Sequence, residues 1–330
     1  MDKRVAILGS GSWATALAKI VMLNEKHINW YIRKPMTINE FQATGKNPGY
    51  LTNATFDTSR ITFSSNINTI IAESDILVLA IPSPYLMQTF KKIRRQMKTK
   101  TVISAVKGLI PDENMLITDY LHEHFEIPMS QLAIVAGPCH AEEIALERLS
   151  YLTIGCSDRE YAKELGALFE TDFVHTMPST DVIGLEYSSV MKNIYAIAGG
   201  LCHSLRYGDN FQSVLISNAI EEVQRFTEAI EHNDERNITA SGYLGDVLVT
   251  CYSKFSRNRQ FGQMIGMGYS VKAAQMEMEM VAEGYYGTRA IHAINEHVKV
   301  DLPIVEAMYN ILFEHQSPTM VVKELTSKLH

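Results

Sequence analysis

The chain has 330 residues, 46% of them hydrophobic and 20% charged, a balance that gives room for two domains with sizeable cores and excludes a disordered or low-complexity protein. A formal charge of -7 excludes broad binding to nucleic acid or to an acidic membrane surface, so any anionic ligand has to be held by locally placed cations. Cys139, Cys156, Cys202 and Cys251 form no C-x-x-C pair, which points to reduced thiols rather than a disulfide scaffold or zinc ribbon.

The first residues, MDKRVAILG, place a strand from about residue 4 and leave no room for a signal peptide, so a cytoplasmic protein is expected. No apolar run approaches the ~18 residues of a membrane span. Continuous apolar runs follow in order: RVAILG (4–9), INWYIR (28–33), DILVLAIP (75–82), TVISAVKG (101–108), LAIVAG (132–137) and LTIGC (152–156). Runs of this kind, unlike alternating ones, predict strands buried on both faces, and helical stretches such as WATALAKIVMLN (13–24) lie between several of them. From about Thr180, and again from Val271 onward, the apolar spacing becomes helical with few strand-like runs. The predicted fold is therefore α/β: a doubly wound, Rossmann-type, mostly parallel sheet over 1–180, followed by an all-α domain over 181–330.

The turn Gly9-Ser10-Gly11-Ser12-Trp13-Ala14 follows the first strand and opens the first helix. In that context Gly9 permits the tight turn and Gly11 lets backbone N–H groups approach a pyrophosphate, while Ala14 is small enough for close helix packing. A dinucleotide site is expected there. The second strand ends in Arg33-Lys34, with no acid between Asn29 and Lys34 to hold ribose hydroxyls. Two cations suit a ribose phosphate, so NADPH is favoured with NADH left open; a solvated basic turn is the plainer reading of the same pair.

Three further places carry candidate chemistry. Lys192 stands among apolar and small residues in SSVMKNIYAIAGG, where desolvation would lower its pKa and suit it to proton transfer, with Asn193 beside it to orient a substrate hydroxyl; a lysine that snorkels to the surface is the alternative. Ser256-Arg257-Asn258-Arg259 sets two guanidiniums and two polar donors beside a helix start, as a phosphate monoester needs, although a solvated basic loop would read alike. Asp246, in an apolar stretch, calls for a cationic or hydroxyl partner. Lys107 falls at the carboxyl end of a strand, where ligands of parallel sheets gather, and AGPCHAEE (136–143) repeats that placement with Pro138 read as a helix beginning. Cys139, His140, Glu142 and Glu143 are too closely spaced for a familiar zinc site, so no metal is expected.

Taken in order, GSGSWATALA, AVKGL, AGPCHAEE, VMKNIYAIAGG, GDVLVTC with SRNRQFG, and VAEGYYGT give a sequence that resembles the bacterial-type NAD(P)-dependent glycerol-3-phosphate dehydrogenases across nearly its whole length. The resemblance implies reduction of dihydroxyacetone phosphate to sn-glycerol 3-phosphate, for glycerophospholipid synthesis, by a cytoplasmic homodimer. It implies proton transfer by Lys192, substrate contacts at Lys107, Gly137, Cys139, Asp246, Ser256, Arg257 and Asn258, and cofactor contacts at Gly9, Gly11, Ser12, Trp13, Arg33, Lys107, Ala141, Arg257, Val281 and Glu283. Three positions depart from the family pattern: Cys139 replaces Ser or Thr, Tyr243 replaces a glycine, and Ser188-Ser189 stand where paired glycines are common. A dehydrogenase of another small hydroxy acid has no need of the arginine cluster. A non-catalytic NADP-binding sensor has no reason to keep Lys107, Lys192 and Arg257 together.

Overall fold

The computed structural model describes residues 3–278 and 281–330; the helical reading of the C-terminal stretch is thus untouched at positions 279 and 280. Eight strands form one sheet: β1 (Val5–Leu8), β2 (Ile28–Tyr31), β3 (Ile61–Ser64), β4 (Ile76–Leu79), β5 (Thr101–Ser104), β6 (Leu132–Ala136), β7 (Ser150–Cys156) and β8 (Val174–Ser179). Their order is β3-β2-β1-β4-β5-β6-β7-β8. All neighbours are parallel except β6 and β7, which run antiparallel from Ala133 opposite Cys156 to Ala136 opposite Thr153. The first six strands have the doubly wound order, whose ligands gather at the carboxyl ends of the strands.

Every residue of β1, β2, β4, β5 and β6 is buried, in keeping with their continuous apolar sequence. The two strands without such a signal, β3 (ITFS) and β8 (VHTMPS), are the edges of the sheet. An edge strand covered on fewer sides needs fewer apolar residues, so its sequence reads as a loop. The helix after β6 spans Ala141–Ala145 with His140 as its N-cap, so Pro138 lies in the preceding turn rather than at the helix beginning; Glu142 and Glu143 do occupy the first turn.

The chain divides into two compact units, Met1–Val106 with Ile117–Val182, and Lys107–Leu116 with Ile183–His330. The short excursion at 107–116 belongs to the helical unit, where the Asn193 Nδ2 donates to the Lys107 carbonyl at 3.1 Å. The helical unit is built round Val182–Ser204, a 23-residue helix buried on almost every face. A helix apolar all round is a core helix. It crosses Arg257–Gly266 so closely that a Cβ at Gly200 or Gly262 would run into the backbone of Arg259 or Ile197, which fixes the arginine helix against the lysine helix. The four thiols are free and buried, and among the described residues no helix is long and apolar enough to cross a membrane.

Candidate active site

In the sheet unit the candidate cofactor site is made of backbone. Gly9 has φ +130°, and a Cβ there would stand 2.5 Å from the Ala80 carbonyl oxygen, so a side chain is excluded by conformation and by space together. The turn is held from several sides: Gly9 N donates to the Tyr31 carbonyl at 3.2 Å, and the Trp30 Nε1 donates to the Gly9 carbonyl at 2.7 Å. Gly11 is the N-cap of helix Ser12–Asn24, no side chain caps that helix, and a Cβ at Gly11 would meet nothing within 4 Å. An uncapped helix start facing open space, with the positive end of the helix dipole behind it, fits the pyrophosphate of a dinucleotide. Ala14 is wholly buried, and Trp13 donates from Nε1 to the Ala105 carbonyl at 3.1 Å, just past the carboxyl end of β5.

Sequence reasoning missed the brace beneath this turn. Asn47 donates to the Ser10 carbonyl at 3.1 Å and to the Thr15 Oγ1 at 2.7 Å, while its Oδ1 accepts from the Gly49 and Tyr50 amides. Its signal was the NPGY turn at 47–50, which carries no functional motif. Arg33 and Lys34 lie exposed just beyond the carboxyl end of β2, Lys34 as the N-cap of helix Pro35–Thr44, and neither forms an ion pair among the described residues. After β6, Gly137 has φ +107° and a would-be Cβ 2.6 Å from the Tyr151 carbonyl oxygen. The Cys139 thiol donates back to the Gly137 carbonyl at 3.1 Å, which ties it to its own turn, and Ala141 is buried at the start of its helix. These residues share the carboxyl edge of the sheet.

In the helical unit the candidate site is made of side chains drawn from distant segments. Lys192 is 4% exposed and Asp246 1%, and the Lys192 ammonium donates to the Asp246 carboxylate. Burying two unpaired charges would cost several kcal/mol for each ion, so the pair is the condition for either to be there. The sequence suggested a desolvated ammonium; the structure sets the Asp246 carboxylate opposite it. Asp246 follows a π-helical turn, Ser241–Gly245, and its backbone carbonyl accepts from the Thr250 hydroxyl at 2.6 Å.

Beside this pair runs a relay of amides. Asn193 donates from Nδ2 to the Lys107 carbonyl and to the Ser189 carbonyl; its Oδ1 accepts from the Asn258 Nδ2 at 2.8 Å, and the Asn258 Oδ1 accepts from the Gly284 amide at 2.9 Å. Asn258 thus joins three segments, a function its place beside Arg257 did not reveal. Ser256 is the N-cap of helix Arg257–Gly266, its Oγ accepting from the Arg259 amide at 3.3 Å. Arg257, the first residue of that helix, is half-buried, as are Lys107, Val281 and Glu283, the last opening helix Glu283–Val298. Among the described residues no group of three or more His, Cys, Asp or Glu side chains is placed to hold a metal ion.

Comparison with known proteins matches both parts of the chain. Residues 4–162 match the family model for the NAD-dependent glycerol-3-phosphate dehydrogenase N-terminus, and residues 181–323 the model for the C-terminus. The chain is 32% identical over 330 residues to a glycerol-3-phosphate dehydrogenase [NAD(P)+] of Oceanobacillus iheyensis, covering 99% of this chain and 94% of that one. It is 34% identical over 327 residues to the protein of the same name from Agathobacter rectalis, covering 98% and 95%. The crystal structure of glycerol-3-phosphate dehydrogenase from Coxiella burnetii superposes with a TM-score of 0.89 at 26% identity, over 98% of each chain. A backbone cradle for a dinucleotide, a buried lysine–aspartate pair and similarity along the whole length converge: the chain belongs to the NAD(P)-dependent glycerol-3-phosphate dehydrogenases, oxidoreductases that act on a CH–OH group with NAD or NADP.

Proposed function

We propose that this oxidoreductase interconverts dihydroxyacetone phosphate and sn-glycerol 3-phosphate, with Lys192 carrying the proton. The buried Lys192–Asp246 pair is the observation that supports this reading best. A charge pair is weak as a source of stability compared with apolar side chains of the same volume, so its presence in a core is better accounted for by chemistry.

Gly9, Gly11, Ser12, Trp13, Arg33 and Ala141, with Val281, Glu283 and Arg257 from the helical unit, would hold the dinucleotide. When bound, it supplies or receives the hydride at the carbon bearing oxygen. Lys192 gives its proton to the carbonyl oxygen as the C=O π pair becomes an oxygen lone pair, and the neutral amine takes the hydroxyl proton in the reverse direction. A positioned acid or base of this kind is worth about 10²- to 10⁴-fold in rate. Asp246 holds the ammonium charged and aimed between turnovers. Lys107 supplies a second cation near the reacting oxygen and the nicotinamide end of the cofactor. Arg257 takes the phosphate, joined by the second amide hydrogen of Asn258, while Ser256 fixes the helix start from which Arg257 projects. Gly137 and Cys139 line the substrate through backbone, since the Cys139 thiol is already committed to the Gly137 carbonyl. Holding the remote phosphate converts binding energy into orientation of the carbonyl.

The exposed Arg33-Lys34 pair supports a preference for NADPH, whose ribose phosphate both cations would meet. The same reading makes the protein a cytoplasmic homodimer that feeds glycerophospholipid synthesis. The test is the initial rate of nicotinamide absorbance loss with dihydroxyacetone phosphate, run in parallel with NADPH and NADH. Rapid, substrate-dependent oxidation with NADPH ahead of NADH is expected. Protein that binds either cofactor yet oxidises neither would contradict the proposal.

A further inference from the structure

Each carbonyl from Gly9 to Gly11 is taken by a donor from the interior of the sheet unit. Trp30 donates from Nε1 to the Gly9 carbonyl at 2.7 Å and Asn47 from Nδ2 to the Ser10 carbonyl at 3.1 Å. The Thr15 amide and hydroxyl donate to the Gly11 carbonyl at 3.0 and 2.9 Å. The peptide bonds here are trans, and in a planar trans peptide the carbonyl and the N–H of the next residue point in opposite directions. Holding the Gly9 carbonyl inward therefore turns the Ser10 amide outward, and holding the Ser10 carbonyl does the same for the Gly11 amide. Those two amides donate to no partner among the described residues. A turn with its carbonyls engaged and successive amides left over is a concave donor surface for an anion.

Neither outside donor can follow the turn if it moves. Trp30, in β2, is wholly buried, and its ring is packed by Phe41, Phe56 and Phe63 with ring centroids 5.2, 5.6 and 5.9 Å away. Asn47 is 1% exposed, and its Oδ1 accepts from the Gly49 and Tyr50 amides at 3.0 and 3.2 Å, which fixes which end of its side chain meets Ser10. Its Nδ2 also donates to the Thr15 Oγ1 at 2.7 Å, the same hydroxyl that donates to the Gly11 carbonyl. The backbone alone would not hold this arrangement, because the glycines on both sides of Ser10 adopt φ of either sign. A peptide turned over would present a carbonyl in place of an amide, and its lone pairs would repel phosphate oxygens.

We propose that Trp30 and Asn47, both outside the Gly9–Ala14 turn, are positioning residues for the dinucleotide: they hold the Gly9 and Ser10 carbonyls to the interior so that the Ser10 and Gly11 amides stay aimed at the pyrophosphate. The inference rests on the reading of that turn as the pyrophosphate site. Both residues act through the main chain, so their effect falls on cofactor affinity rather than on the chemical step.

The test measures the NADPH dissociation constant by calorimetry, the Tm, and kcat at saturating NADPH in four variants of the full chain: Trp30→Phe, Asn47→Ala, Phe41→Leu and Gly11→Asp. The first two are uncharged, so neither brings a repulsive charge toward the cofactor. Phe41→Leu loosens the same aromatic cluster without touching a turn carbonyl, and so controls for lost packing. The expected result is a dissociation constant raised about 10-fold in Trp30→Phe and in Asn47→Ala, the scale of one hydrogen bond, with kcat within about twofold. Phe41→Leu is expected to lower Tm and leave affinity within about twofold. Each of the first two variants releases a different carbonyl, so either decides the matter if the other does not fold. Wild-type affinity in either folded variant, or a loss that Phe41→Leu shares at equal loss of Tm, means a role in stability alone and overturns the inference. Asp is a favoured N-cap and a Cβ at Gly11 meets nothing within 4 Å, so Gly11→Asp keeps the fold while its carboxylate takes the helix start from the phosphates. Undiminished NADPH affinity in that variant would instead sink the reading of the turn on which the inference rests.

Discussion

The two units build their candidate sites by opposite means. In the sheet unit the candidate site is main chain, a glycine whose φ of +130° no side chain tolerates and an uncapped helix start, all within residues 9–14. In the helical unit the candidate site is made by the side chains of Lys192, Asn193, Asp246 and Asn258, tied to the Lys107 carbonyl and the Gly284 amide, and none of these positions explains itself locally. A site built from backbone is written contiguously and tolerates little change in its glycines. A site built from side chains is scattered, and it depends on the pairing of buried charges.

This contrast can be broken most forcefully at Asp246. Asp246→Asn leaves the Lys192 ammonium buried without its counter-charge, a change expected to destabilise the fold by about 3–5 kcal/mol and to lower turnover as well, measured by denaturant titration and steady-state kinetics. If the variant is as stable as the wild type, the ion pair is not what permits Lys192 in the core. A smaller global effect is expected from Glu222, whose carboxyl burial raises to about 8. Between roughly the unfolded value of 4.5 and that value the folded state holds a proton the unfolded chain has released, so stability falls as pH rises through this window. Glu222→Gln is expected to flatten the decline of Tm between pH 5 and 8 by roughly 5–10 °C, read by thermal melts at closely spaced pH; melts that decline in parallel would contradict the assignment.

On the sheet side, Gly9→Ala forces a Cβ toward the Ala80 carbonyl at a backbone angle unsuited to it. A loss of about 1–3 kcal/mol is expected, with cofactor affinity falling further than the melting temperature alone suggests; unchanged affinity by calorimetry would remove the cradle from the account. The finest effect is expected at Arg33. Arg33→Ser should raise KM for NADPH by about 10-fold, the value of one charge-assisted contact to a phosphate, and leave NADH nearly untouched. Equal effects on both cofactors would mean that Arg33 does not meet the ribose phosphate.

How much of the molecule was legible follows from the same contrast. The strand–turn–helix at 5–24 and the buried strands could be read because each is short, continuous and locally determined. The edge strands β3 and β8 escaped because half-exposed strands carry mixed sequences. Residues 107–116 group with the helical unit, and the bond that Asn193 makes to the Lys107 carbonyl from 86 residues away is one no local pattern announces. Asn47 was hidden for a similar reason: its contacts with Ser10 and Thr15 lie more than 30 positions off, and NPGY reads only as a turn. Asp246 shows what sequence can do short of a structure. An acid in an apolar run announces that it has a partner without saying which, and the fold supplies Lys192.

The central claim, that cofactor binding resides in the backbone cradle and proton transfer in the buried lysine, is tested most directly by measuring turnover and cofactor affinity in one preparation of Lys192→Ala. The account predicts turnover of dihydroxyacetone phosphate lower by about 10²- to 10⁴-fold, with NADPH bound as tightly as by the wild type. Full turnover, or a cofactor affinity that falls together with the rate, would contradict it.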